Sequence, residues 1–193
     1  TSYHRNNGFT INRWDCFIIM NKYLTAIELT EQALLKKIQV CQNILTQSNI
    51  SEAQISANKA LKNICLHYLA TLEQHAELVE QQFASSDNMT DSLAALNCGA
   101  KNNLASFNTQ MTAFEQKWQN TPLVMDKWFS LSASLSDDDI FSHLSALTSH
   151  PLFSLKNPNR ARSLIGAFVM NNPLYFHDST GKGYAFLADK IAK

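Results

Sequence analysis

Apolar residues recur every three or four positions through most of this chain, which is the spacing of one face of an α-helix. One stripe consists of Ala57, Leu61, Ile64, Cys65, Tyr68, Leu69 and Leu72. A second stripe alternates steps of four and three, as in a helix packed between neighbours, and consists of Leu93, Leu96, Ala100, Leu104, Phe107, Met111, Phe114 and Trp118. Residues 25–49 predict a further helix, with these side chains inside: Ile27, Leu34, Leu35, Ile38 and Ile44. The pattern therefore predicts an all-α protein.

Capping residues predict where several of the helices begin. Thr121 and Asn157 each precede a proline, so each places a capping side chain just before a residue suited to the first helical position. Asn172 repeats this arrangement. Ser136 precedes three consecutive aspartates, which predicts that it caps a helix whose first turn carries acidic residues, as the helix dipole favours.

The caps also predict a structural repeat. The interval from Thr121 to Asn157 is 36 residues, and the interval from Ser136 to Asn172 is also 36. Two short helices fill one such interval, so we expect an armadillo/HEAT-like, right-handed α-solenoid, a superhelix of antiparallel helix pairs. The last helical pattern runs from Tyr184 to Ala192. Because a solenoid seldom ends without a polar capping helix, we expect the last repeats to be missing.

Composition and charge narrow the function classes. Five glycines and four prolines in 193 residues are too few for a β-rich fold, and 45% of the residues are apolar. A formal net charge of zero gives no electrostatic reason to expect nucleic acid or an anionic membrane as a partner. The longest apolar runs, such as residues 16–20, are too short for a membrane span, and we expect no signal peptide. The chain lacks an initiating Met, as an excised piece of a longer protein would.

Residues with metal-binding or nucleophilic chemistry do not form recognisable motifs. The four cysteines are widely separated, which fits a reducing compartment, and we expect a cytoplasmic protein. No two of the six histidines are three or four residues apart, so we expect structural histidines and no metal site. Nucleophile elbows and phosphate-binding loops are absent from the sequence. Trp118, Trp128 and Phe129 fit a hydrophobic seam between repeats better than an aromatic recognition surface.

The segment 157–168 carries an unusual pair of arginines. Arg160 and Arg162 lie in the first turn of the expected helix, where basic residues oppose the positive end of the helix dipole. In one interpretation, both arginines bind a carboxylate, which belongs either to an internal partner or to a ligand. The alternative, which the residues alone favour, is that they are solvated or tie two helices together. Asp126 and Lys127 are expected to form salt bridges between helices.

Several segments, taken in order, resemble the C-terminal helical domain of bacterial aminopeptidase N, a zinc-dependent alanyl aminopeptidase family. The resemblance extends from about Ala57 to the last residue and rests on residues 87–96, 118–129, 157–168, 172–177 and 181–187. Residues 12–15 resemble a piece of that family that lies slightly further upstream. Between this piece and residues 60–65 the family would have considerably more sequence, so the chain is shortened near residues 25–55. We therefore expect partial N-terminal helices over residues 1–50, and over residues 51–193 a helical-repeat domain truncated at its C-terminal end.

The resemblance implies a domain of an enzyme that releases N-terminal amino acids from peptides. Such enzymes hold zinc with a His-Glu-x-x-His motif and a distant glutamate, and they grip the substrate amine with a Gly-x-Met-Glu-Asn loop. Neither motif is present, so we expect zinc to be bound outside this chain and the chain alone to be inactive. The role that the resemblance implies for this domain is to enclose the catalytic cavity, so that peptides enter it and folded proteins do not. The implied partners are the catalytic domain of the same polypeptide and peptide substrates. Arg162, then Arg160, with Asn159 beside them, are the expected cavity-facing residues.

Two further functions remain open from the residues. One is a free-standing helical-repeat adaptor that binds a protein segment in its groove. The other is an interaction domain of a larger regulator that has lost peptidase activity. The last helical pattern of the chain carries four apolar residues, Ala185, Phe186, Leu187 and Ile191. These favour the enzyme fragment, because an adaptor would cover its end with polar residues.

Overall fold

The computed structural model describes residues 13–136 and 138–192, with side-chain surroundings from Thr25 onward. All the regular secondary structure in these ranges is helical, which confirms the all-α prediction. The helices are α1 (Arg13–Leu45), α2 (Glu52–Leu69), α3 (Ala76–Ser85), α4 (Met89–Lys101), α5 (Phe107–Trp118), α6 (Pro122–Ala133), α7 (Ile140–Thr148), α8 (Pro158–Ala161), α9 (Ala167–Asn171), α10 (Pro173–Phe176) and α11 (Lys182–Ile191). A 3₁₀ turn precedes α3, and a π-helical turn, Arg162–Gly166, joins α8 to α9.

The chain divides into two compact units, with the division between Leu69 and Ala70. In the first unit, α1 packs along α2. A reciprocal capping box starts α2: the Ser51 N–H donates to Gln54 Oε1 at 3.0 Å, and the Gln54 N–H donates to Ser51 Oγ at 3.3 Å. The expected domains at residues 1–50 and 51–193 stay predictions.

The helix predicted around residues 57–72 exists, and its predicted buried face is confirmed for Cys65 and Leu69 but wrong for three other residues of the stripe. Leu61, Ile64 and Tyr68 are 40%, 55% and 60% exposed. The buried side chains of α2 are Lys62, Cys65, Leu66 and Leu69. Apolar residues occupy both sides of this helix, so their spacing identifies the helix, whereas packing against α1 decides which side is covered. Similarly, Ile27 in α1 is half exposed.

The second unit is built around α6, which packs against α5, α7, α8, α9 and the π turn. Its core contains three phenylalanines that are almost completely buried, Phe114, Phe129 and Phe168. Other core residues of this unit are Leu96, Met125, Ile140, Leu144 and Leu164. The apolar stripe from residue 93 to 118 supplies this core, but from two helices, because the chain turns between α4 and α5. Asn103 lies in that turn with a φ of 51°, a left-handed conformation that asparagine tolerates better than most residues.

Helix starts agree with some of the predicted caps and not with others. Asn157 is confirmed as a cap, since its side-chain oxygen accepts hydrogen bonds from the backbone N–H groups of the next turn. Thr121 precedes α6 but makes no side-chain capping bond. The prediction for Ser136 was wrong, because α7 begins at Ile140 with Asp139 in the capping position.

Hydrogen bonds link positions that are about one repeat apart in the second unit. Asn172 is buried, and its amide donates to the carbonyls of Ala133 at 3.3 Å and Leu135 at 2.8 Å instead of capping α10. The Tyr175 hydroxyl donates to Asp138 Oδ1 at 2.9 Å. α6 and α8 begin 36 positions apart, as their capping residues predict. The contacts between successive repeats agree with the expected solenoid.

Candidate functional site on the arginine helix

The two arginines lie on one helical segment of mixed geometry, which we call the arginine helix (residues 158–171). Its π turn starts at Arg162, where the Ala167 N–H donates to the Arg162 carbonyl five residues earlier. The Ser130 hydroxyl of α6 donates to the Ser163 carbonyl at 3.0 Å, so α6 contacts the turn directly. Single π turns inside α-helices occur frequently at functional sites, which makes this segment a candidate.

Arg160 is an internal residue, with only 5% of its surface exposed. Its Nε donates to Asp126 Oδ1 at 2.5 Å, and its Nη2 donates to the Pro122 carbonyl at 3.1 Å. Its Nη1 donates to the Leu152 carbonyl at 2.5 Å. The guanidinium carbon also lies 4.9 Å from the centre of the Phe129 ring, within range of a cation–π interaction. Arg160 therefore ties the arginine helix to α6, and the prediction that Asp126 is a salt-bridge partner between helices is confirmed.

Arg162 is exposed, and no hydrogen bond or ion pair involves its guanidinium within residues 13–136 and 138–192. It lines an open pocket of about 460 Å³, which we call the Arg162 pocket. Two other basic residues border this pocket, Lys156 and Lys190, together with the apolar residues Leu155, Ile165 and Ile191. Lys190 pairs with Asp189 at 3.0 Å. Basic groups beside an apolar wall suit an organic anion such as a peptide carboxylate.

A separate groove runs along α4, α6, the π turn and α9. It has a volume of about 630 Å³ and is bordered by Leu93, Leu123, Asp126, Lys127, Ser130 and Asn171, among others. We call it the Lys127 groove. Leu123 is 71% exposed there. Lys127 is exposed too, and no ion pair involves its ammonium group in the described part of the chain, although a salt bridge was expected for it.

The structure thus separates the two arginines that the sequence places together. Positions two apart on a helix point to different sides, since each residue turns the helix by about 100°. Asp126, the partner of Arg160, borders the Lys127 groove, whereas Arg162 lines its own pocket. Asn159 is exposed near the start of α8, and its N–H donates to the capping Asn157 at 3.0 Å.

The aromatic residues and His150 have structural roles. Trp128 is buried, and its Nε1 donates to the Met111 carbonyl at 3.2 Å, which confirms the interpretation as a seam between helices. His150 Nε2 lies 2.9 Å from Glu115 Oε1, and its Nδ1 accepts a hydrogen bond from the Leu152 N–H at 3.1 Å. Because the Leu152 carbonyl binds Arg160, this histidine holds the segment on which the Arg160 contact depends.

Comparison with known proteins assigns the chain to a family. The family described as "Domain of unknown function (DUF3458_C) ARM repeats" matches residues 19–193. The chain belongs to this family of ARM-repeat domains. Its relatives include Aminopeptidase N of Haemophilus influenzae, 39% identical over 154 residues, which cover 78% of this chain and 18% of that protein. Aminopeptidase N of Escherichia coli is 42% identical over 137 residues, covering 70% of this chain and 16% of that protein.

A solved structure agrees in fold. The crystal structure of Legionella pneumophila aminopeptidase A in complex with aspartic acid matches with a TM-score of 0.74 and 27% sequence identity, over 92% of this chain and 21% of that one. The resemblance to bacterial aminopeptidase N and the all-α solenoid fold are confirmed by these matches. The ARM-repeat domain spans less than a fifth of the length of the curated relatives that it matches.

Metal-binding side chains do not gather in the described part of the ARM-repeat domain. Among residues 13–136 and 138–192, no group of three or more His, Cys, Asp or Glu side chains could hold a metal ion. The side chains of these residues therefore do not fit a zinc site.

Among residues 13–136 and 138–192, no helix is both long enough and apolar enough to cross a membrane.

Two basic neighbours of Arg162 in the ARM-repeat domain were not predicted from the sequence. Lys156 comes directly before the capping residue Asn157, and Lys190 lies in α11, near the end of the chain. Neither belongs to a periodic pattern that includes Arg162. Only the packing of α11 beside the arginine helix brings the three basic residues to one pocket.

Proposed function

We propose that this ARM-repeat domain is the C-terminal part of a zinc-dependent aminopeptidase that releases N-terminal amino acids from peptides. The observation that carries the proposal is the identity of 37–42% to three bacterial Aminopeptidase N sequences over 70–78% of the chain. The domain itself supplies no zinc motif, so zinc would be held by another part of the same polypeptide, where it would activate a water molecule for attack on the peptide bond. The role of this domain is to enclose the catalytic cavity and restrict access to it.

The proposed partners are the catalytic domain of the same polypeptide and peptide substrates. The Lys127 groove supports a partner surface, because it combines exposed Leu123 with a basic side chain that forms no ion pair within the described residues. A cytoplasmic location is part of the proposal. It is supported by Cys41, Cys65 and Cys98, which are free thiols as a reducing compartment favours.

Activity and metal content of the complete polypeptide test this function. We expect that polypeptide to hydrolyse alanyl-p-nitroanilide and to contain zinc by atomic absorption, whereas residues 1–193 alone do neither. A complete polypeptide that binds no zinc and releases no N-terminal alanine would contradict the proposal.

Within this function we propose that Arg162 faces the cavity and contacts the substrate backbone or an acidic group of the catalytic domain. The support is an exposed guanidinium with no other partner in the described residues, next to two lysines. Arg160 is less suited to this role, because its three nitrogens already donate to groups within the domain. Asn159, exposed beside them, is a secondary candidate.

An Arg162→Ala variant of the complete enzyme tests this role. Loss of one charge-assisted hydrogen bond, worth ~1.4 kcal/mol, would raise KM about tenfold and leave kcat nearly unchanged. Lys101→Ala is the matched control, since it removes an exposed basic residue that borders neither the Arg162 pocket nor the Lys127 groove. An unchanged KM for Arg162→Ala would refute the assignment, and an equal rise for Lys101→Ala would show that the effect is not specific to the pocket.

A second candidate function is that of a protein-binding adaptor, which the Lys127 groove favours. An adaptor would bind its partner through the groove and would not need the Arg162 pocket. If the complete polypeptide lacks zinc and a Leu123→Ser variant loses partner binding while Arg162→Ala retains it, the adaptor function is correct.

A further inference from the structure

We propose that Asp126 and Arg160 form a positioning pair, which fixes the direction in which Arg162 presents its guanidinium to the pocket. This inference rests on the proposed role of Arg162 in substrate binding. It assigns a function to two residues that do not border the Arg162 pocket.

Arg160 determines the rotation of the arginine helix about its axis. Its guanidinium contacts α6 at two points, Asp126 and the Pro122 carbonyl, and a third point on the preceding segment, the Leu152 carbonyl. Three hydrogen bonds in different directions leave a buried, planar guanidinium little freedom to turn. The backbone at Arg160 is therefore held in one orientation relative to α6.

A short stretch of backbone, held by hydrogen bonds, transmits this orientation from Arg160 to Arg162. Arg162 follows two residues later, about 200° around the helix and ~3 Å along it. On one side of it, the Arg160 N–H donates to the capping Asn157 at 3.3 Å. On the other side, Ser163 Oγ donates to the Arg160 carbonyl at 2.8 Å, and the Ser163 carbonyl accepts from Ser130. Arg162 therefore lies between two backbone positions, Arg160 and Ser163, that hydrogen bonds hold in place.

Arg162 makes no other contact that orients its side chain. Within residues 13–136 and 138–192, no side chain binds its guanidinium, so only the backbone fixes the direction in which this side chain leaves the helix. Small displacements of a group that binds substrate reduce binding strongly. A buried ion pair is in general a poor source of stability compared with apolar packing, and fixing one arrangement of the chain is its best-attested use.

A double-mutant cycle in the complete enzyme tests the inference, with Asp126→Asn, Arg162→Ala and the combination. Asp126→Asn keeps the shape but removes the charge that holds Arg160. We expect it to raise KM about threefold to fivefold with kcat unchanged when Arg162 is present, and to leave KM unchanged in the Arg162→Ala background. Asp126→Glu, which keeps the charge, should restore most of the original KM. Asp178→Asn makes the same change at a carboxylate that borders neither the Lys127 groove nor the Arg162 pocket, and it serves as the control that leaves KM unchanged.

The possible outcomes separate this inference from the proposed function. If Arg162→Ala itself leaves KM unchanged, both fail, because no contact remains to be positioned. If Arg162→Ala raises KM but Asp126→Asn does not, or if Asp126→Asn raises KM equally in both backgrounds, only the positioning role fails. Loss of thermal stability without a change in KM identifies a merely structural pair and overturns the inference. If Asp126→Asn does not fold, Arg160→Lys replaces it, with the same dependence on Arg162 expected.

Discussion

Gly183 provides a sharp test of how α11 packs on the preceding helix. It is buried in the first turn of α11, directly against the backbone at the end of α10. A Cβ atom added to Gly183 would lie 2.3 Å from the Phe176 carbonyl oxygen and 2.7 Å from its Cα. Cβ atoms in real structures essentially never approach a neighbour closer than 3.0 Å, and here the neighbour is rigid backbone. A Gly183→Ala variant therefore has to move α11 away from α10.

The magnitude follows from two opposing terms. Overpacking of a well-packed contact costs typically 1–3 kcal/mol, and a backbone neighbour favours the upper part, about 2–3 kcal/mol. Alanine gains about 0.5–1 kcal/mol over glycine within a helix. The net loss is about 1–2.5 kcal/mol in the free energy of unfolding, which for a chain of this size lowers Tm by roughly 2–10 °C.

Gly166→Ala is the matched control, because it makes the same change in the π turn. Gly166 has helical backbone angles, φ −61° and ψ −41°. Its added Cβ would lie 3.7 Å from the Arg162 Cβ, an ordinary contact distance. This variant should be neutral or more stable by about 0.5–1 kcal/mol.

Thermal unfolding followed by far-UV circular dichroism measures both variants at one pH and one protein concentration. The account requires Gly183→Ala to melt below the unsubstituted protein and Gly166→Ala to melt at or above it. A Gly183→Ala protein that melts as high as the Gly166→Ala protein would refute the close approach of α11 to α10.

Two further predictions concern buried groups. Burial raises the pKa of the Cys98 thiol from 9.0 to about 11. Above pH 9 the unfolded chain therefore releases this proton while the folded chain retains it, and the free energy of unfolding should fall by about 2 kcal/mol between pH 9 and 11. Urea unfolding at these pH values should show a smaller fall for Cys98→Ala, and equal slopes would contradict the burial. Arg160→Met should lower the free energy of unfolding by about 3–5 kcal/mol, because it leaves the Asp126 carboxylate and two backbone carbonyls without their donor. The urea midpoint measures this loss, for which Lys127→Met is the exposed control, and a loss below about 1 kcal/mol would mean that Arg160 is not the internal brace.

Local chemistry made much of the fold predictable from the sequence. The spacing of apolar residues located the helices, because helical periodicity survives whatever the helix packs against. The Asn157 cap was predictable since it depends on backbone groups only two and three residues away. Asp126 was predictable as a partner between helices, because a charge beside the apolar core needs an opposite charge.

The errors arose where distant parts of the chain decide the outcome. Asn172 was expected to cap a helix, but its side-chain amide donates instead to two carbonyls of the preceding repeat. The stripe from residue 93 to 118 was expected in one helix, yet a left-handed residue, Asn103, divides it into two helices that pack on each other. Both arginines were expected to face the cavity, with Arg162 ranked before Arg160, but the packing of α6 buries Arg160 and leaves Arg162 exposed.

The central claim is that this ARM-repeat domain helps to enclose the catalytic cavity of an aminopeptidase, and substrate size tests it most directly. The measurement compares release of N-terminal alanine by the complete polypeptide from a tetrapeptide and from a folded protein with the same first four residues. The account predicts release from the tetrapeptide and none above background from the folded protein until that protein is denatured and digested to short peptides. Equal release from both substrates would contradict the enclosing role, and release from neither would contradict the aminopeptidase function itself.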